Sequence, residues 1–156
     1  MKLAEALRER ADLQHEIAQL QHRIGSCARY LEGEQPEEDA AALLDRARDV
    51  LARHEKLVAR INRTNAVTLL PSGPTITAAM AHRAYLNGLR NFLSRAADDG
   101  AGAASDRVWG RRRASELKET TAIPVSALRD ESDHIAAELR VLDVQIQQVN
   151  WSTDLL

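Results

Sequence analysis

The sequence predicts an all-α fold, an antiparallel four-helix bundle with long helices, and three observations carry that expectation. Apolar residues recur at steps of three and four over long windows, aromatic residues make up only 3% of the chain, and the seven Gly and four Pro are few. A core poor in aromatics is filled by Leu, Ile, Val and Ala, which suits helices packed side by side better than sheets. The 156 residues fit a single domain, 1–156, and 44% apolar with 28% charged residues is the balance of a chain able to bury a core.

Leu3, Ala6, Leu7, Leu13, Ile17, Leu20, Ile24 and Cys27 predict an amphipathic first helix from residue 2 to about 30. Its heptad-like spacing favours shallow crossing angles. Gly33 and Pro36 break it, and Asp39 is placed to cap a second helix whose positive end the acidic neighbours favour. That helix is expected from about Ala40 to Leu69. Counted at about 100° per residue, Leu43, Leu44, Ala47, Val50, Leu51, His54, Leu57, Val58 and Ile61 fall in one apolar sector. Asn65 lands in the middle of the same sector. A buried amide must find partners, since an unpaired one costs roughly 1–3 kcal/mol, so Asn65 is expected to bond another helix and to fix register.

Pro71-Ser72-Gly73-Pro74 is a turn signal, and Thr75 or Thr77 is positioned as N-cap of a third helix reaching about Ala97. There Tyr85, Leu86, Leu89, Phe92, Leu93 and Ala96 share one face, and Ile76 and Met80 lie opposite with Arg83, Asn87, Arg90 and Asn91. A fourth helix is expected from near Ser126 to about Trp151, with Leu128, Ile135, Leu139, Leu142, Ile146 and Val149 on its stripe. Between the last two lies an irregular basic segment, about 98–124. Its Arg107, Arg111, Arg112, Arg113 and Lys118 are the anion-binding candidates, for phosphate or nucleic acid.

Catalytic and metal patterns are sparse. Glu131 with His134, and Asp12 with His15, have the spacing of di-metal bundle ligands, but both pairs lie off their apolar stripes, so no metal site is expected. No glycine-rich phosphate loop and no Cys-x-x-Cys occurs, no nucleophile is paired with a base, and no cofactor is implied. The single Cys27 continues an apolar pattern and reads as a small buried hydrophobe. His54 on the second-helix stripe reads as a hydrogen-bonded core histidine. Asn62-Arg63-Thr64 and Asn150-Trp151-Ser152 match the glycosylation pattern, but on helices both matches are accidental.

A net charge of −2 gives no global attraction to nucleic acid or to anionic membranes. No run of about 18 apolar residues occurs, nor the strand alternation of a membrane barrel, so no membrane partner is expected. The charged N-terminus predicts no export signal and a cytoplasmic location.

Several blocks together resemble a known family: Ile61-Asn62-Arg63-Thr64-Asn65, the opening Met1-Lys2-Leu3-Ala4-Glu5-Ala6-Leu7 with Arg10-Ala11-Asp12-Leu13, Arg113-Ala114-Ser115-Glu116-Leu117-Lys118, and Ile146-Gln147-Gln148-Val149-Asn150-Trp151. The sequence is similar over nearly its whole length to a family of small, largely uncharacterised bacterial proteins, some of which carry the name septicolysin. The resemblance implies an all-helical fold and a bacterial source, and it supplies no catalytic residues.

The function expected is that of a non-enzymatic, self-associating helical bundle, a binding or scaffold protein. First and second helices near thirty residues would be about 45 Å long, with stripes broader than one chain covers. Two alternatives stand beside it: phosphate or nucleic-acid binding through 107–118, and an enzyme or small-ligand pocket around Asn62 and Asn65. The ligand or polar-core candidates are His54, Asn62, Arg63, Asn65, Arg83, Glu116, Asn150 and Trp151.

Overall fold

The computed structural model describes residues 1–102 and 121–156. Four long helices account for its regular structure: α1 (Leu3–Cys27), α2 (Ala40–Val67), α3 (Ile76–Gly100) and α4 (Val125–Ser152). Among the described residues there is no strand, only two isolated antiparallel bridges, Lys2 with Asp154 and Leu69 with Thr75. The all-α helical-bundle class is therefore the one that the spacing predicts. The chain forms two compact units, Met1–Thr77 with Gln147–Leu156, and Ala78–Ile146.

In the first unit α1 and α2 pack antiparallel along a narrow seam. Ala6, Leu13, Leu20 and Cys27 are buried on α1, and Leu43, Val50, Leu57 and Thr64 on α2, every seventh residue in both. Residues between them on the seam, Arg10, Ile17, Ile24, Ala47 and His54, are half-buried. This 3.5-residue repeat overturns the phase assigned to the end of α2. An ideal helix drifts about 20° per heptad from a seven-residue repeat, so three heptads from Leu43 accumulate about 60°. Followed along the seam, the central position is Thr64, fully buried, while Asn65 falls on the flank and is half-buried. Leu44 and Leu51, placed in the core sector by the same count, are 43% and 49% exposed.

The hairpin has two unlike edges. One is crossed by ion pairs, Glu9 with Arg53 at 3.9 Å, Glu16 with Arg46 at 2.7 Å, and Arg23 with Glu38. The other carries Leu7, Gln14 and Gln21 of α1 and the heptad row Leu44, Leu51, Val58 and Asn65 of α2. The seam residues beside the ion pairs are buried and those beside the second edge are half-buried, because long charged side chains shield only one side.

Local chemistry sets the helix ends. Asp39 caps α2, its Oδ1 accepting from the backbone N–H groups of Ala41 at 2.9 Å and Ala42 at 3.2 Å. Between α2 and α3 the backbone N–H of Leu70 donates to the Pro74 carbonyl at 2.8 Å and that of Gly73 to the Leu70 carbonyl at 2.9 Å. Gly73 has φ +105°, a conformation that disfavours a side chain.

In the second unit α3 and α4 also run antiparallel. Arg83 Nε donates to Asp143 Oδ1 at 2.6 Å, His82 Nε2 lies 3.2 Å from Glu138 Oε1, and the hydroxyls of Ser94 and Ser132 are 3.3 Å apart. The expected α3 face also needs correction, because apolar character alone does not say which side of the helix is covered. Burial follows Ala79, Leu86 and Leu93 with Ile76 and Ala97, leaving Tyr85 61%, Phe92 75% and Met80 52% exposed. The helix continues past the expected end at Ala97 to Gly100, where a Cβ would stand 3.1 Å from Val125 Cγ2.

Candidate functional site

Of the buried polar residues described, Thr64 and Asn150 lie in the first unit and Ser132 in the second. The hydroxyl of Thr64, a residue fully buried, donates to the Arg60 carbonyl at 2.9 Å and accepts from the Leu156 N–H at 3.0 Å. Arg60 Nε donates to the Leu156 carbonyl at 2.8 Å. From the other side the Leu3 N–H donates to the Thr153 carbonyl and the Leu155 N–H to the Met1 carbonyl, both at 2.9 Å. Lys2 Nζ adds an ion pair to Asp154 at 3.0 Å. Residues 153–156 thus tie the start of α1 to the last turns of α2.

Asn150, one turn upstream on α4, is 8% exposed. Its Oδ1 is shielded and has no hydrogen-bond partner among the described residues, and the same holds for Asn65 Oδ1, His54 Nε2 and Arg10 Nε. The ion-pair register brings Arg10 and His54 to one level of the α1–α2 seam, beside Glu9 and Arg53. A shielded polar atom without a partner costs stability, so Arg10 and His54 mark where the α1–α2 seam departs from apolar packing.

The candidates predicted from the sequence are divided between the two units. His54, Asn65 and Asn150 lie in the first unit, whereas Arg83 belongs to the second, held by Asp143. Asn62 and Arg63 are exposed, and Trp151 is 62% exposed. Glu116 and the anion-binding candidates Arg107, Arg111, Arg112, Arg113 and Lys118 lie outside the described residues. Two residues escaped the sequence reading. Thr64 becomes visible when the heptad replaces the 3.6-residue count, and Arg10 when the α1 steps from Ala6 to Leu13 are filled in the same way.

Asp12, His15, Glu131 and His134 are all exposed, and no three His, Cys, Asp or Glu side chains converge among the described residues. Cys27 is buried, its Sγ 3.7 Å from the Ile24 carbonyl. At the connection between α1 and α2, the hydrogen bond from Arg23 holds the Glu38 carboxyl below its usual range, and Glu38 raises the Arg23 guanidinium. No described helix is long and apolar enough to cross a membrane.

Fold and polar groups together define an all-α helical-bundle protein whose shielded polar side chains lie on helix seams. The chain belongs to a family described as a family of unknown function (DUF6847), whose model matches residues 10–155. It is similar to a crystal structure of a functionally unknown conserved protein from Corynebacterium diphtheriae, at 36% identity and a TM-score of 0.89, covering 100% of this chain and 99% of that one. No curated protein matches. Neither description carries the septicolysin name that the resemblance suggested.

Proposed function

We propose that the protein is a non-enzymatic scaffold that works by self-association of its long helices. The observation that carries this reading is the row Leu44 and Leu51, 43% and 49% exposed one heptad apart on a helix whose other edge is sealed by ion pairs. Aliphatic side chains repeating at a helical period on an exposed edge are what a partner helix covers. Sedimentation velocity at micromolar concentration tests it: a dimer or larger assembly is expected, and a monomer of 17.3 kDa overturns the reading.

A second reading, a small-ligand contact at Asn150, rests on its shielded, unpartnered Oδ1. Were Asn150 a ligand group, Asn150→Leu would lose a co-purifying molecule seen by native mass spectrometry. If no molecule accompanies the unaltered protein, this second reading fails.

A further inference from the structure

Resting on the reading of self-association, we infer that the open edge of the α1–α2 hairpin docks against the same edge of a second copy. The two hairpins run antiparallel about a two-fold axis that passes at Leu51.

The first support is symmetry along α2. The apolar part of the row, Leu44, Leu51 and Val58 ahead of Asn65, is symmetric in apolar character about Leu51. A two-fold axis there sets Leu51 against its own equivalent and Leu44 against Val58 of the partner subunit. An interface of this kind must be self-complementary, since each residue meets the image of another on the same patch.

α1 carries a second such symmetry independently. Leu7 and Ile17, both half-buried, are equidistant from residue 12, as are Arg10 and Gln14. The same operation places Leu7 against Ile17 of the partner subunit, apolar on apolar, and Arg10 against Gln14 of the partner subunit. The ion pairs Glu9–Arg53 and Glu16–Arg46 fix which level of α1 stands beside which level of α2. They bring residue 12 beside residue 50, within one residue of Leu51, a rise of about 1.5 Å. Two patterns on two helices therefore share one axis.

The polar residues of this edge fit the same arrangement. Arg10, half-buried on this edge, stands at the level where its guanidinium meets the amide oxygen of Gln14 of the partner subunit. His54 stands over Ala47 of the partner subunit, a side chain small enough to admit the ring. On the outer flank Arg48 and Glu55 are exposed one heptad apart, so the axis brings Arg48 to within one residue of the level of Glu55 of the partner subunit, close enough to pair, and repeats the pair symmetrically. Arg48 now holds Asp45 at 2.7 Å, but both side chains are largely exposed, and a local pair of that kind exchanges at little cost.

Site-specific cross-linking and charge exchange test this interface. In Leu51→Cys the two thiols face each other on the axis, within the roughly 7 Å between Cα atoms that a disulfide spans, so mild oxidation should give a covalent dimer. Asp49→Cys, on the far side of α2, and the unaltered protein with its buried Cys27 should give none. Arg48→Glu and Glu55→Arg should each weaken dimerisation by about tenfold or more, and the double variant should recover most of the loss. Thermal melts by circular dichroism confirm that each variant folds. An unaltered protein that self-associates, with Leu51→Cys cross-linking no better than Asp49→Cys, overturns the interface alone. A monomeric unaltered protein overturns it together with the reading on which it rests.

Discussion

Thr64 has one hydroxyl and uses it in two directions, toward the Arg60 carbonyl and from the Leu156 N–H. Thr64→Val keeps the shape and removes both bonds, leaving a backbone donor without its acceptor. Equilibrium denaturation should show a loss of about 1–3 kcal/mol, and Thr64→Ser should retain most of it. Asn65 Oδ1, by contrast, has no hydrogen-bond partner among the described residues and the residue sits on the flank, so Asn65→Leu should hold or raise the melting temperature. The difference between these neighbours was hidden in the sequence for a geometric reason. Both fall near the apolar stripe when turns are counted, and only the slower seven-residue repeat separates them after three heptads.

At the scale of the element, much was legible because the causes are local. Asp39 as cap, the Pro71–Pro74 turn and the extents of α1, α2 and α4 follow from side chains within a few residues of the boundary. Asp39→Ala should destabilise by about 1 kcal/mol, read by chemical denaturation. The faces of α3 were less legible, because Tyr85 and Phe92 are apolar yet exposed, and hydrophobicity alone does not say which side a seam will take. The connection ahead of α2 has its own pH response. Glu38 titrates below the usual carboxylate range because Arg23 bonds its ionised form, so the stabilisation is present at neutral pH and is lost as pH falls through that lowered value. A carboxyl titration followed by NMR should place the Glu38 midpoint below that of a free glutamate, and Arg23→Gln should return it to the ordinary range.

For the whole molecule, the two units differ in what completes them. The second is a hairpin of α3 and α4, whereas the first needs Gln147–Leu156 to complete it. No local pattern announces that closure, since Lys2 and Asp154 are 152 positions apart in the chain. Asn65 and Asn150 were legible in the sequence as polar residues beside the apolar stripes, whereas Thr64 was not, because its place on the seam emerges only from the seven-residue repeat.

That distant closure has a kinetic consequence. Each hairpin brings together neighbours in sequence and can form early, but the bridge between Lys2 and Asp154 must wait for nearly the entire chain to leave the ribosome. Joining positions so far apart in sequence carries a large loop-closure cost, so these contacts are expected to form after the barrier is crossed. Leu155→Ala, which trims a buried side chain of that closing segment, should therefore accelerate unfolding in stopped-flow experiments while leaving the refolding rate almost unchanged.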